Sequence, residues 1–434
     1  MKTAATSLVR RLREAGHEAY FAGGCVRDML LGKEAHDFDI ATSARPEEVQ
    51  ALFPRTVAVG AAFGVIVVME GREEYQIATF RADGVYIDGR HPEGVTYTTA
   101  EGDAQRRDFT INGLFYDPLE DRVIDFVEGR KDLEARLIRA VGDAARRFEE
   151  DKLRVLRGVR FAASLDFAIE PATWAAICAG ATQIHEVSAE RIREELVKIF
   201  VSPNRLKGFD LLDASGLMEQ ILPEVTHLKG CEQPPEFHPE GDVFVHTRLM
   251  LSLLPNEVSV PLVLSVLFHD LGKPATMTQD ETGRLRFNGH ESVSARITES
   301  IMRRLRFSND EIEATMEMVQ NHMVFKDVQN MRVARLKRFM ARPTFLDEME
   351  LHRVDCLGSH GYLDNHAFLH AKADEFANEP LIPEPLVNGK DLIALGWKPG
   401  PKFKEVLDAV QTRQLEGSLN SHEGALEWIK KEYH

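Results

Sequence analysis

Apolar and polar positions change rhythm several times along the 434 residues. To about residue 140, short runs rich in β-branched and aromatic side chains are mixed with helical patterns. HDFDIAT, GVIVVMEG and EEYQIATFR, each bounded by Gly, Pro or charge, predict strands. From there to about residue 229 apolar residues recur at three and four, as in LRVLRGVRFAASL and AERIREELVKIF, which is the spacing of amphipathic helices. A breaker, GCEQPPEFHPEGD (Gly230 to Asp242), interrupts that rhythm. Helical spacing resumes at Val243 and runs to about residue 378. The tail holds a second breaker, GWKPGPK, one amphipathic helix from about Phe403, and a short last helix after Ser421. No internal repeat is visible. These patterns predict an α+β chain, mostly helical, with one small mixed sheet near the N-terminus. Four segments are expected: 1–140, 141–229, 230–378 and 379–434.

Composition narrows the class. The chain is 44% hydrophobic and 28% charged, as in globular proteins. The best membrane candidate, VPLVLSVLF from Val260, is about half the length a bilayer span needs. MKTAATSLVRRLREAG has no apolar export core and reads as a first helix. Cys25, Cys178, Cys231 and Cys356 are widely spaced, which suits a reducing compartment; a cytoplasmic location is expected. A net charge of −16 argues against nonspecific coating of nucleic acid. Local fields differ: Arg130 to Arg160 holds ten Lys/Arg against six Asp/Glu, and Met331 to Arg342 has five basic residues and no acid. Such runs are most often solvated helix faces.

Two glycines precede a helical pattern in GGCVRDMLLG, after the strand-like EAYFA. Without a Cβ, the backbone can approach a phosphate, and a helix start offers free N–H donors. Arg27 would lie on the first turn, where a guanidinium can fork onto phosphate oxygens. Taken alone, Gly-Gly is a tight turn. A few residues on, Asp37 and Asp39 are separated by one residue on a predicted strand, so both carboxylates project from one face, about 7 Å apart. Like charges so placed call for a cation, and hard oxygen ligands suit Mg²⁺.

GGCVRD followed by DFDIAT resembles the head motif of the polymerase-β-type nucleotidyltransferases. Further pieces narrow the resemblance to the class II tRNA nucleotidyltransferase and bacterial poly(A) polymerase family. TFRADGVYIDGRHP (Thr79 to Pro92) resembles its flexible loop, and RRDFTING (Arg106 to Gly113) its ribose- and primer-handling motif. EEDKLRVLRGVRFA (Glu149 to Ala162) resembles its nucleotide-selecting helix, and RIREELVKI (Arg191 to Ile199) the helix that supports it. The match covers roughly the first half of the chain. It implies a nucleotidyltransferase head over 1–140 and a helical neck over 141–229. It also implies catalysis by Asp37 and Asp39 with Mg²⁺, and nucleotide contact by Gly24, Arg27, Arg107, Asp151, Arg154, Arg157 and Arg160. Gln76 stands where many relatives carry an acid.

Asp151, Arg154 and Arg157 recur every three residues, which predicts a stripe along one helix. Cytosine and adenine share an amine donor beside a ring-nitrogen acceptor; uracil and guanine reverse that edge. An ionised Asp only accepts and an Arg only donates, so Asp151 and Arg154 could satisfy C or A, each mismatch costing roughly 1–3 kcal/mol. The competing reading is a solvated ion pair between them.

The third segment carries His246, His269-Asp270, His290, His322 and Asp355. In order, they resemble the HD phosphohydrolase superfamily. The resemblance implies one metal at His246, His269, Asp270 and Asp355, with His290, His322 and Lys273 free for phosphate or a second ion. Mixed imidazole and carboxylate ligands suit Mn, Fe, Co, Ni or Zn. Gly272-Lys273-Pro274 also reads as a plain helix stop. The expected activity is CCA addition to tRNA from CTP and ATP, with HD hydrolysis of phosphomonoesters and 2′,3′-cyclic phosphodiesters. The alternatives are a poly(A) polymerase, a CC-only or A-only enzyme, an HD hydrolase with an RNA-binding head, and a noncatalytic RNA-binding protein. In the tail, packing is expected, with Asp391 as a helix cap.

Overall fold

The computed structural model describes residues 1–35, 37–60, 64–83 and 95–433. His36, which opens the HDFDIAT motif, and residues 84–92 of the expected flexible loop lie outside the described residues.

Two compact units divide the chain: residues 1–226 with 304–307, and residues 227–303 with 308–434. The first is built on strands β1 (Ala19–Ala22), β2 (Ile40–Thr42), β3 (Thr56–Gly60), β4 (Val65–Glu70), β5 (Glu73–Thr79), β6 (Arg81–Asp83), β7 (Val95–Tyr97), β8 (Leu114–Asp117) and β9 (Arg122–Asp125). Seven of them form a mixed sheet in the order β3-β4-β5-β2-β1-β8-β9, with β6 and β7 as a separate ribbon. The β2–β5 pair is parallel; the other pairs are antiparallel. Period-two patterning explains the burial: Tyr20 and Ala22 of β1 join Ala41, Phe80 and Phe115 in one apolar cluster, while Phe21 faces the other way, onto Phe38.

The sheet is larger than expected, and a short pair, Thr278–Gln279 with Leu285–Arg286, lies in the second unit. The segments for β3, β8 and β9 are only four or five residues long and bounded by Gly or charge, and pairing completes their strand character.

After the sheet come helices Leu153–Leu165 and Ala189–Phe200, which pack on each other. The second unit is almost wholly helical. Its apolar helix Val260–Phe268 is buried from Leu262 onward. The tail helices Gly389–Ala394, Pro401–Leu415 and His422–Glu432 share one apolar cluster around Leu392, Val406, Val410 and Ile429. Asn388, not Asp391, is the cap residue there; Asp391 completes the box by accepting from the Asn388 N–H at 2.8 Å. Among the described residues, no helix is long and apolar enough to cross a membrane.

Candidate active sites

β1 ends at Ala22 and the helix Gly24–Leu30 begins two residues later. The turn requires Gly23: its φ is +74°, and a Cβ there would lie 2.9 Å from a guanidinium nitrogen of Arg107. Arg27 donates to Asn112 Oδ1 at 2.8 Å and pairs with Asp28 at 2.8 Å. Arg107 is held by Asp103 at 3.0 Å and by the Asn112 carbonyl at 3.1 Å.

Asp37 and Asp39 stand just ahead of β2, not on it. Pairing with β5 starts only at Ile40, although the Asp39 carbonyl already accepts from the Ala22 N–H at 3.0 Å. The alternation reaches back even so. Phe38 is buried with its ring 5.1 Å from that of Phe21, and the aspartate on each side is exposed. Anchoring Phe38 thus turns both carboxylates the other way. Desolvation within the cleft pushes the Asp39 carboxyl above its ordinary value; Arg107 opposes the shift and Asp37 adds to it. Paired, mutually repelling oxygen donors fit a hard divalent cation.

Asp151 also departs from expectation. It lies in extended backbone at the break between helices Ala144–Glu150 and Leu153–Leu165, so it is not part of the stripe. Its carboxylate accepts from the Leu153 N–H at 3.1 Å and from Arg191 at 2.7 Å. A short polar side chain that bonds the backbone two residues on favours a break over a continuous helix. The solvated Asp151–Arg154 pair does not form. Arg154, buried, instead donates to Glu150 and the Arg147 carbonyl at 3.0 Å and to the Arg106 carbonyl at 3.2 Å. Arg157 bonds Asp108 at 2.6 Å, holding that buried carboxyl well below its usual range against the cost of burial. Arg160 bonds the buried Glu195 at 2.6 Å.

One cleft of about 650 Å³ is lined by Gly24, Arg27, Asp37, Asp39, Arg107, Asp151, Arg154, Arg157 and Arg160. Residues from positions 24 to 160 that the sequence singled out therefore meet in one place. Arg106, Asp108, Asn112, Phe161, Arg191 and Lys198 line it too, and sequence reasoning did not single them out. Their signal was present in RRDFTING and in the four- and three-residue spacing of Arg191, Glu195 and Lys198.

The second unit gathers the histidines. His246 lies in helix Val243–Leu253, His269 and Asp270 follow helix Val260–Phe268, and His290 opens helix His290–Arg304. His322 follows helix Asn309–Asn321, and Asp355 lies in helix Phe345–Gly358. Gly272 permits the approach, because a Cβ on it would fall 2.4 Å from the His290 carbonyl oxygen. His290 Nε2 thereby comes within 3.3 Å of Asp270 Oδ1.

Ring orientation follows from hydrogen bonding. Nδ1 of His269, His290 and His322 faces a carbonyl three residues back: Val266 at 3.0 Å, Phe287 at 2.8 Å and Val319 at 2.6 Å. A carbonyl only accepts, so each neutral ring carries its proton on Nδ1 and its lone pair on Nε2. Glu240 Oε1, 2.7 Å from His246 Nδ1, fixes a proton on that nitrogen too, while Asp355 offers an acceptor to a second proton on Nε2. As a result His290 Nε2 and His322 Nε2 face each other 3.1 Å apart, and His246 Nε2 faces Asp355 Oδ1 at 3.1 Å. His269 Nε2 and both Asp270 oxygens are buried without a well-aligned hydrogen bond, although Lys273 Nζ lies 2.7 Å from Asp270. Opposed lone pairs without a donor are unfavourable, and a divalent cation among them relieves the conflict. Ligand atoms of His246, His269 and Asp270, and again of Asp270, His290 and His322, lie within 4.8 Å of one another.

Burial, reinforced by His269 and His290, pushes His322 down to about 3. His246 is held up to about 9, because Asp355 and Glu240 outweigh its burial. A pocket of about 430 Å³ opens here, lined by Asp270, Lys273, His290, His322 and Asp355 together with Arg284, Arg286 and Lys326. Glu240, His238 and Gln233 were missed in the sequence, since they lie in a breaker loop with no periodicity.

Residues 19–139 match a family described as "Poly A polymerase head domain", and residues 166–229 one described as "Probable RNA and SrmB- binding site of polymerase A". A CCA-adding enzyme of Lactobacillus johnsonii is 44% identical over 220 residues, covering 50% of this chain and 55% of the relative. One of Lactobacillus gasseri is 41% identical over 263 residues, covering 59% and 65%. The chain thus spans little more than half the length of these curated relatives. The crystal structure of the Bacillus stearothermophilus CCA-adding enzyme in complex with CTP superimposes with a TM-score of 0.77 at 28% identity, over 98% of this chain and 96% of that one. The chain is thus similar to CCA-adding enzymes in sequence over about its N-terminal half and in fold over nearly its full length.

Proposed function

We propose that the chain adds or repairs the 3′-terminal CCA of tRNA from CTP and ATP without a nucleic-acid template. The observation that carries this reading is the single cleft joining the Gly-Gly turn, the aspartate pair and the Asp151–Arg154 pair. Asp37 and Asp39 would hold Mg²⁺, which when bound neutralises the triphosphate and acidifies the attacking hydroxyl. Gly24 and Arg27 offer backbone and guanidinium donors to phosphate, and Arg107 adds charge beside Asp39. Asp151, steadied by Arg191, accepts from the exocyclic amine of C or A. Arg154, fixed by three acceptors, presents its remaining N–H donors to the ring nitrogen.

The same reading gives the second unit an HD phosphohydrolase role. His246, His269, Asp270 and Asp355 would hold one transition metal, with His290, His322 and Lys273 meeting phosphate or a second ion. Substrates are phosphomonoesters and 2′,3′-cyclic phosphodiesters, so that blocked RNA ends are cleared before addition. The converging Nε2 atoms support it, with the Nε2 proton of His246 displaced when a metal binds.

A tRNA transcript ending before CCA, incubated with CTP and ATP singly and together, tests the first role. Addition of C, C and then A is expected. Repeated A addition would instead favour a poly(A) polymerase, a halt after CC or an A-only product a partial enzyme, and no pyrophosphate release an RNA-binding head. Chelator-sensitive phosphodiesterase activity that survives Asp37→Ala and vanishes in Asp270→Ala is expected for the second role; its persistence in Asp270→Ala would sink it.

A further inference from the structure

Three of the four converging histidines are oriented by neutral carbonyls of their own local chain, and the fourth is oriented differently. His246, fully buried, has Nδ1 2.7 Å from Glu240 Oε1 and 3.3 Å from the Gly358 carbonyl oxygen. Both neighbours accept only, so the Nδ1 proton is fixed and Nε2 is committed to the site. Glu240 comes from the Gly230–Asp242 loop, outside the H…HD…H…H…D series. Its Oε1 also faces His238 Nδ1 at 2.9 Å, and its Oε2 is buried without a hydrogen-bond partner. The carboxylate is thus anchored against His246 by a second imidazole and shielded from water.

We propose that Glu240 is a positioning residue for the HD metal: it locks the tautomer of His246 and, as a buried anion, makes that imidazole a stronger ligand than the three carbonyl-supported rings. A carboxylate behind a ligating histidine polarises the ring toward the metal, and such partners are worth roughly 10–100-fold in metal affinity. The Glu240 contact sits opposite the metal-facing nitrogen, so Glu240 acts through His246 and not as a ligand. The inference rests on the metal reading of the second unit.

The test uses the full chain, stripped of metal and titrated with Co²⁺ while visible absorption is followed. Imidazole nitrogens, as stronger-field ligands, shift the cobalt bands to shorter wavelength than oxygens alone, which separates this site from the aspartate pair of the head. Glu240→Gln, equal in size and still able to accept from Nδ1, is expected to bind the same number of ions roughly 10-fold more weakly, and Glu240→Ala roughly 100-fold. The metal-free melting temperature of Glu240→Gln should fall, since the charge beside a buried imidazolium is lost, yet leave the chain folded through the titration. Should either variant fail to fold, Glu240→Asp keeps the charge, cannot span the 2.7 Å contact, and should fall between them. Unchanged affinity would overturn the assignment. So would the loss of one whole equivalent of cobalt, since Glu240 would then be a ligand. Absence of the absorption in the unmodified chain would instead overturn the metal reading beneath it.

Discussion

Asp151 is gripped by Arg191, forty residues along the chain, at 2.7 Å, and not by Arg154, three residues away. Aim of the acceptor thus depends on a second helix. Arg191→Ala should free the carboxylate and blur the choice between C and U. Loss of one charge-assisted bond, on the order of 1.5 kcal/mol, predicts about tenfold greater UTP incorporation relative to CTP. Single-nucleotide extension of a CCA-less transcript measures the ratio. An unaltered ratio would count against base reading by Asp151.

Asp37→Ala and Asp39→Ala should each slow nucleotide addition by roughly 100-fold or more, the scale expected when several kcal/mol of metal-centred charge stabilisation is lost. Cobalt absorption from the histidine site should stay as it is. Equal loss at both sites would point to general unfolding instead.

Gly23→Ala places a side chain at φ +74° and 2.9 Å from Arg107. The expected cost is roughly 1–2 kcal/mol from backbone strain, with weaker CTP binding as Arg107 is displaced. Denaturant unfolding and calorimetric CTP titration report the two effects separately. A variant with parental stability and affinity would refute the close-approach argument.

Glu348 is buried, and burial pushes its carboxyl up to about 7, although Thr344 and Arg342 oppose the shift. The native state therefore holds this proton more tightly than the unfolded chain, where an ordinary Glu titrates near 4.3. Stability should fall as pH rises from about 4.3 to about 7 and then level off, by on the order of 1–3 kcal/mol. Glu348→Gln should flatten that slope. Melting curves of both forms across the range decide it.

How far these features could be read in advance varied with how local their cause is. Phe38 between Asp37 and Asp39 is a period-two signal that survives even where the strand itself starts later, because side-chain alternation needs only extended backbone. Asp151 was misplaced onto a helix because three-residue spacing says nothing about a local side-chain bond that breaks the helix. Strands β3 and β9 are short edge strands paired only with the neighbouring β4 and β8, and β8 is completed by the distant β1, so none left a long alternating run of its own. Glu240 was invisible for a related reason: its partner His246 is near in sequence, yet nothing in HPEGD marks which imidazole nitrogen it will meet.

Each guanidinium group of the head cleft lies against an acid: Arg27 against Asp28, Arg106 and Arg107 against Asp103, Arg154 against Glu150, Arg157 against Asp108, Arg160 against Glu195 and Arg191 against Asp151. Most of those acids stand behind the lining, which itself carries eight Lys/Arg against four Asp, so in a chain of net charge −16 the attraction is confined to the cleft. Each guanidinium is braced in one orientation before anything enters, so less side-chain freedom is left to be lost on binding.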